Sequence, residues 1–152
     1  MTLSFGLNSA RDCLNDFVSK VDHFDQDDLN TSLANDCAIA AWTVLDWVFK
    51  SDGARLGYGE LRDLQDDLKA QCPSLGYLQD IANARKHGKI TKYQPKVKST
   101  GLHRGGFSRG FSRDFDISRL VFQTDVGEIC FRDTLVEARD FLESYFALRN
   151  IN

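Results

Sequence analysis

One long apolar segment, residues 29–50, most constrains the fold of this 152-residue chain. A helix drawn through it is apolar on nearly every face, so other elements must cover it. Its densest part, residues 37–49, is interrupted by Asp46 and is too short to span a bilayer. The segment therefore predicts the central helix of a bundle. Three of its large apolar residues are expected in or beside the core: Trp42, Leu45 and Trp47.

Four further segments with helical spacing supply the partners of this helix: residues 9–24, 60–71, 73–87 and 134–149. Ser9 is placed to cap the helix at 9–24, and Pro73 and Gly88 bracket the helix at 73–87. Thr134 and Glu137 have the spacing of a capping box at the start of the last helix. Two β-rich runs around Asp125-Val126-Gly127 predict a hairpin. We expect one mainly α domain over residues 1–152. It should be a bundle of about five helices with a small antiparallel β-hairpin near 118–132.

Charge is strongly segregated along the chain, although the net charge is only −3. Residues 1–83 carry 14 acidic and 6 basic side chains, and residues 114–152 carry 8 acidic and 4 basic ones. Residues 84–113 carry 9 basic side chains and no acidic one. Such a segment is typical of an anion-binding loop, but it can also neutralise the acidic body or a second subunit.

Most of this positive charge lies in a loop or ribbon rich in Gly, Phe and Arg, residues 89–116. Its composition is typical of segments that bind single-stranded RNA. The alternative is an ordered ribbon, which we favour because the following hairpin needs a third partner. At least two of Phe107, Phe111 and Phe115 should then be packed, the arginines should meet acids, and RNA binding should be weak at physiological salt. The candidate binding residues are Lys86, Lys89, Lys92, Arg104, Arg109 and Arg113.

The end of the fourth helix carries a second set of candidates. Asp80, Asn83 and His87 share one helix face, with Arg85 and Lys86 beside them. A ribonuclease needs a proton-transferring group and a cation that stabilises the phosphate, so His87 with Arg85 or Lys86 is a candidate pair. The tentative catalytic residues are His87, Arg85, Asn83 and Asp80. A solvated polar face has the same pattern.

Asp46 stands alone among apolar residues. A buried carboxylate needs a partner, and Arg85 and His87 are the natural candidates. The alternative is an acid at the edge of the bundle that faces water. The three histidines lack the spacing of metal ligands, and no cofactor-binding motif is present, so we expect neither metal nor cofactor. Without an apolar leader or membrane span, the cytoplasm is the default location.

Three segments, AIAAWTVLDWVF, CPSLGYLQDIANARKHGK and GGFSRGFSRDFDISRLVF, resemble a family of uncharacterised bacterial proteins over residues 37–146. The helical layout of that family is similar to HEPN domains. The resemblance implies a helical bundle, often a homodimer, in toxin–antitoxin or other defence systems. Many HEPN proteins are metal-independent ribonucleases with an arginine and a polar residue several positions before a histidine.

This chain departs from that motif, because none of the three residues five to seven positions before His87 is an arginine. Gln79 stands where the wider family often has arginine. HEPN proteins without the motif are more often binding or structural partners. The leading expectation is therefore a non-enzymatic binding module for a protein partner or nucleic acid. The runner-up is a ribonuclease that uses His87 with Arg85 or Lys86.

Overall fold

The computed structural model describes residues 4–107 and 116–152. Helices make up most of the described chain, and three short strands form one antiparallel sheet. The helices are α1 (Ala10–Gln26), α2 (Thr31–Asp52), α3 (Leu61–Gln71), α4 (Pro73–His87) and α5 (Phe131–Arg149). The strands are β1 (Ser99–His103), β2 (Arg119–Thr124) and β3 (Gly127–Cys130). The predicted mainly α fold with a small antiparallel β element is confirmed.

The central position of α2 follows from its apolar sequence. It contacts each of the other four helices, and α1 and α4 cover most of it. Leu45 is fully buried, and Trp42 and Trp47 pack half-buried against the core, as predicted. The core joins buried residues of all five helices to Phe122 of β2. None of the described helices is both long and apolar enough to cross a membrane.

Local signals set most helix ends. The Ser9 hydroxyl accepts the N–H of Asp12 at 3.1 Å, and so caps α1 as predicted. Pro73 opens α4, where its missing N–H is harmless, and Gly88 ends that helix with a positive φ of 74°. The predicted bounds of α4 are therefore confirmed.

The predicted start of α5 is wrong. The helix begins at Phe131, directly after β3, and the Thr134 hydroxyl inside it donates to the carbonyl of Cys130 at 3.1 Å. Glu137 accepts a hydrogen bond from the Ser74 hydroxyl of α4 at 2.6 Å. Both groups of the predicted capping box therefore have other partners, one of them distant in sequence.

The sheet has the strand order β1-β2-β3. The predicted hairpin is confirmed as β2 and β3, joined by a two-residue turn with Gly127 at a φ of 114°. The predicted third partner is β1, in which Ser99 lies opposite Gln123 and His103 lies opposite Arg119. Residues 88–98, between α4 and β1, contain no regular strand.

The connection between β1 and β2 closes tightly at its base. The N–H of Gly105 donates to the Ser118 hydroxyl at 3.1 Å, and a Cβ on Gly105 would lie 2.2 Å from the carbonyl oxygen of Asp116. Only glycine therefore fits at this position. Phe107 is 44% exposed. Two further residues of the predicted trio, Phe111 and Phe115, lie outside the described residues, so the packing of at least two phenylalanines stays a prediction.

Candidate functional site

Asp80 of α4 joins the helix to the chain that follows it. Its side chain is only 4% exposed. Its Oδ2 atom accepts the backbone N–H of Lys96 at 2.7 Å and that of Val97 at 3.0 Å. Hydrogen bonds from backbone N–H groups to a carboxylate are charge-assisted and short, and a buried acid needs such partners. Asp80 therefore fixes the far end of residues 88–98, which we call the anchored loop.

Asn83, one turn after Asp80, provides a second attachment. Its Nδ2 atom donates to the hydroxyl oxygen of Tyr93 at 3.0 Å, in the middle of the anchored loop. Burial raises the pKa of Tyr93 to about 12; the nearby carboxylate of Asp80 acts in the same direction and the Asn83 hydrogen bond in the opposite one. The phenol is thus neutral, and the loop is tied to α4 at two points.

Five cations lie exposed on the last turn of α4 and on the anchored loop, and we call them the basic surface: Arg85, Lys86, Lys89, Lys92 and Lys96. None of them forms an ion pair with any residue in the described ranges 4–107 and 116–152. Lys98 differs, because its ammonium group lies 2.5 Å from the carboxylate of Asp125 at the hairpin turn. The basic surface is therefore a positive region without an ion-pair partner in the described part of the chain, on a protein whose remaining sequence has a net negative charge.

The four tentative catalytic residues do not form one constellation. Asp80 and Asn83 both bond to the anchored loop, whereas Arg85 and His87 are exposed in the last helical turn. The imidazole of His87 has no hydrogen bond or ion pair with a described residue. Cations in this turn also complement the negative end of the helix dipole, which gives them a structural role.

Asp46 is half-buried on α2. Burial raises its pKa, and the positive charges of Lys50 and Lys86 partly oppose that rise. Within the part of the chain that the structure describes, no ion pair involves this carboxylate, so the predicted pair with Arg85 or His87 is not formed. The charge on α4 that acts on Asp46 is instead that of Lys86, which lies between Arg85 and His87 in the sequence.

The remaining predicted binding residues lie beyond β1. Arg104 is exposed and has no acidic partner among the described residues. The neighbouring acid Asp114 lies outside those residues, so the expectation that the arginines meet acids stays a prediction. Asp116 instead accepts a 2.6 Å hydrogen bond from Nε2 of His103, and this bond lowers the pKa of Asp116. Arg109 and Arg113 lie outside the described residues. No described group of three His, Cys, Asp or Glu residues is arranged to hold a metal ion.

Sequence reasoning missed the anchors themselves. Tyr93 lies ten residues after Asn83, and the partners of Asp80 are backbone N–H groups that leave no mark in a sequence. The only available signal was the acid at position 80 itself, on a helix face shared with Asn83.

Comparisons with models of protein families, with curated proteins and with solved structures gave no significant match to this chain. The resemblance to HEPN domains therefore stays a prediction that rests on the sequence segments alone. The same holds for a homodimer and for a place in a toxin–antitoxin system.

Proposed function

We propose that this chain is a non-enzymatic binding module that contacts the phosphate backbone of nucleic acid. One observation carries the proposal: the basic surface exposes five cations on a short stretch of chain, without an ion-pair partner among the described residues. Lys and Arg side chains that neutralise phosphates release counterions, and this release supplies most of the non-specific affinity for nucleic acid. An acidic body around the surface would restrict contact to that region.

The two attachments of the anchored loop support this proposal. A free loop loses conformational entropy when it binds, and that loss lowers affinity. Asp80 and Asn83 fix the loop before any ligand arrives, through the hydrogen bonds to Lys96, Val97 and Tyr93. The lysines of the loop therefore project from a backbone that is already ordered.

Catalysis by His87 has less support. A general acid–base histidine works best when a second group orients its ring, and no described residue bonds to the imidazole of His87. The nearest candidates on the same helix face, Asp80 and Asn83, are engaged with the anchored loop. The ribonuclease therefore remains the second candidate, supported by the position of His87 beside Arg85 and Lys86.

Fluorescence anisotropy of a labelled RNA strand tests the proposal. We expect weak binding near physiological salt and steeply tighter binding at low salt. The triple variant Lys89→Ala, Lys92→Ala, Lys96→Ala should bind about tenfold or more weakly at low salt, because it removes three phosphate contacts.

The matched control is the triple variant Lys20→Ala, Arg55→Ala, Arg149→Ala, which removes three positive charges from parts of the chain outside the basic surface. Equal loss of binding in both triple variants would contradict a localised surface. A gel of the same RNA tests the second candidate: cleavage that disappears in His87→Ala would replace the binding module by a ribonuclease.

A further inference from the structure

A cleft of about 280 Å³ opens beside the basic surface, where α3, α4 and the anchored loop meet. From α4 it is lined by Gly76, Gln79 and Asp80, and from the anchored loop by Tyr93, Gln94 and Lys96. Lys96 belongs to both the cleft and the basic surface. A ligand that follows the basic surface therefore passes the mouth of this cleft.

The wall contributed by α3 is fixed by contacts to its neighbours. The ammonium group of Lys69 donates to Gln79 Oε1 at 3.0 Å and lies 3.4 Å from the carboxylate of Asp66. The same ammonium group lies 5.9 Å from the centre of the Trp42 ring, within the range of a cation–π contact. These contacts hold a polar wall in place before a ligand binds, which reduces the ordering that binding requires.

The opposite wall offers unused hydrogen-bonding groups. The amide of Gln94 carries both donors and an acceptor and bonds to none of the described residues. The backbone at Gln94 is restrained on both sides, by the Tyr93–Asn83 bond and by Pro95 followed by the two N–H groups that Asp80 holds. A glutamine amide matches the donor and acceptor edge of a nucleobase, and an aromatic side chain beside it favours stacking.

We infer that this cleft receives a base of a single-stranded nucleic acid whose phosphates lie on the basic surface. The inference rests on the proposed function and adds what the phosphate contacts alone do not give, a preference for unpaired bases. Duplex RNA keeps its bases stacked and paired, so their edges do not reach a cleft of this kind, whereas a single strand presents them freely.

The test compares two labelled strands of equal length and charge, one with bases and one abasic throughout, by anisotropy with the wild-type chain. We expect the abasic strand to bind about tenfold more weakly, the loss that corresponds to one stacked base. Gln94→Ala should weaken binding of the base-containing strand and leave the abasic strand unchanged. The control Gln71→Ala, an exposed glutamine at the end of α3, should change neither.

The results that would contradict the inference can be distinguished from those that would contradict the proposed function. Equal affinity for both strands overturns the base-binding cleft and leaves the proposed phosphate contacts standing. Absence of salt-dependent binding for both strands overturns the proposed function, and the cleft assignment with it. A mononucleotide that binds as tightly as the strand overturns the assignment to a strand and identifies a free nucleotide as the ligand.

Discussion

The buried carboxylate of Asp80 accepts the backbone N–H of Lys96 at 2.7 Å, while the side chain of Lys96 stays exposed on the basic surface. One hydrogen bond thus couples the interior of the helical bundle to the group that we expect to meet phosphate. The acid of this pair was a candidate catalyst in the sequence. In the structure it holds the anchored loop.

Removal of this anchor should destabilise the protein. Asp80→Ala deletes the acceptor of two backbone N–H groups, and we expect a loss of about 2–4 kcal/mol in the free energy of unfolding, measured in urea. The control Asp140→Ala removes an exposed acid that, among the described residues, pairs with Arg139 alone, and should cost less than about 1 kcal/mol. A similar small loss in both variants would mean that Asp80 does not anchor the loop.

Replacement of Asp46, by contrast, should stabilise the protein. Because burial raises the pKa of Asp46 above the ordinary value of an aspartate, the folded protein penalises the charged form. That penalty is complete at a pH above the pKa of Asp46 in the folded state, and it is absent at a pH below the pKa of Asp46 in the unfolded state. Asp46→Asn should therefore unfold at a higher temperature than the wild type near pH 7, and the gain should vanish near pH 3. Asp36→Asn, at an exposed position of the same helix, serves as the control, and equal gains in both variants would exclude this explanation.

The stability of the protein at alkaline pH should depend on the ionisation of Tyr93. Its pKa is raised from 10.0 to about 12, so its contribution to stability is complete below pH 10 and falls as the pH rises towards 12. Tyr93→Phe loses the Asn83 hydrogen bond, which should cost about 1 kcal/mol at pH 8. The difference between wild type and variant should shrink between pH 10 and 12, because only the wild type ionises at this position. A difference that is constant with pH would place Tyr93 in water.

Gly76→Ala should stabilise α4. Gly76 is a buried interior residue of that helix, and an added Cβ would lie 3.6 Å from Cδ of Lys69, an ordinary van der Waals distance. Glycine is about 0.8–1.0 kcal/mol less favourable than alanine inside a helix, so thermal unfolding should move upwards. The methyl group also narrows the cleft beside Lys69, and strands with bases should bind more weakly while abasic strands do not. A lower unfolding temperature of the variant would show that the packing around position 76 does not accommodate a methyl group.

Local chemistry made much of the bundle predictable. Pro73 and Gly88 bound α4 because each restricts or permits the backbone at its own position. The apolar surface of α2 indicated its central place because other elements must cover such a surface. The same reasoning failed at α5, where Glu137 bonds to Ser74, 63 residues away, and no local pattern encodes that partner.

The candidate site was less predictable for a related reason. The sequence places Asp80 and Asn83 on one helix face, but it does not indicate that the loop returns to that face. Backbone N–H groups look alike at every position, so Lys96 and Val97 gave no signal as partners. His87 lies on the same helix face as Asp80 but about two turns later, at the end of α4, and its side chain bonds to none of the described residues.

The most direct test of the basic surface is NMR chemical-shift mapping of the ¹⁵N-labelled chain titrated with a short single-stranded RNA at low salt. If the account is correct, the backbone amides of residues 85–97 shift most, and those of α1 stay unchanged. Shifts concentrated on α1 or α5, or no shift between residues 85 and 97 while RNA is bound, would contradict it.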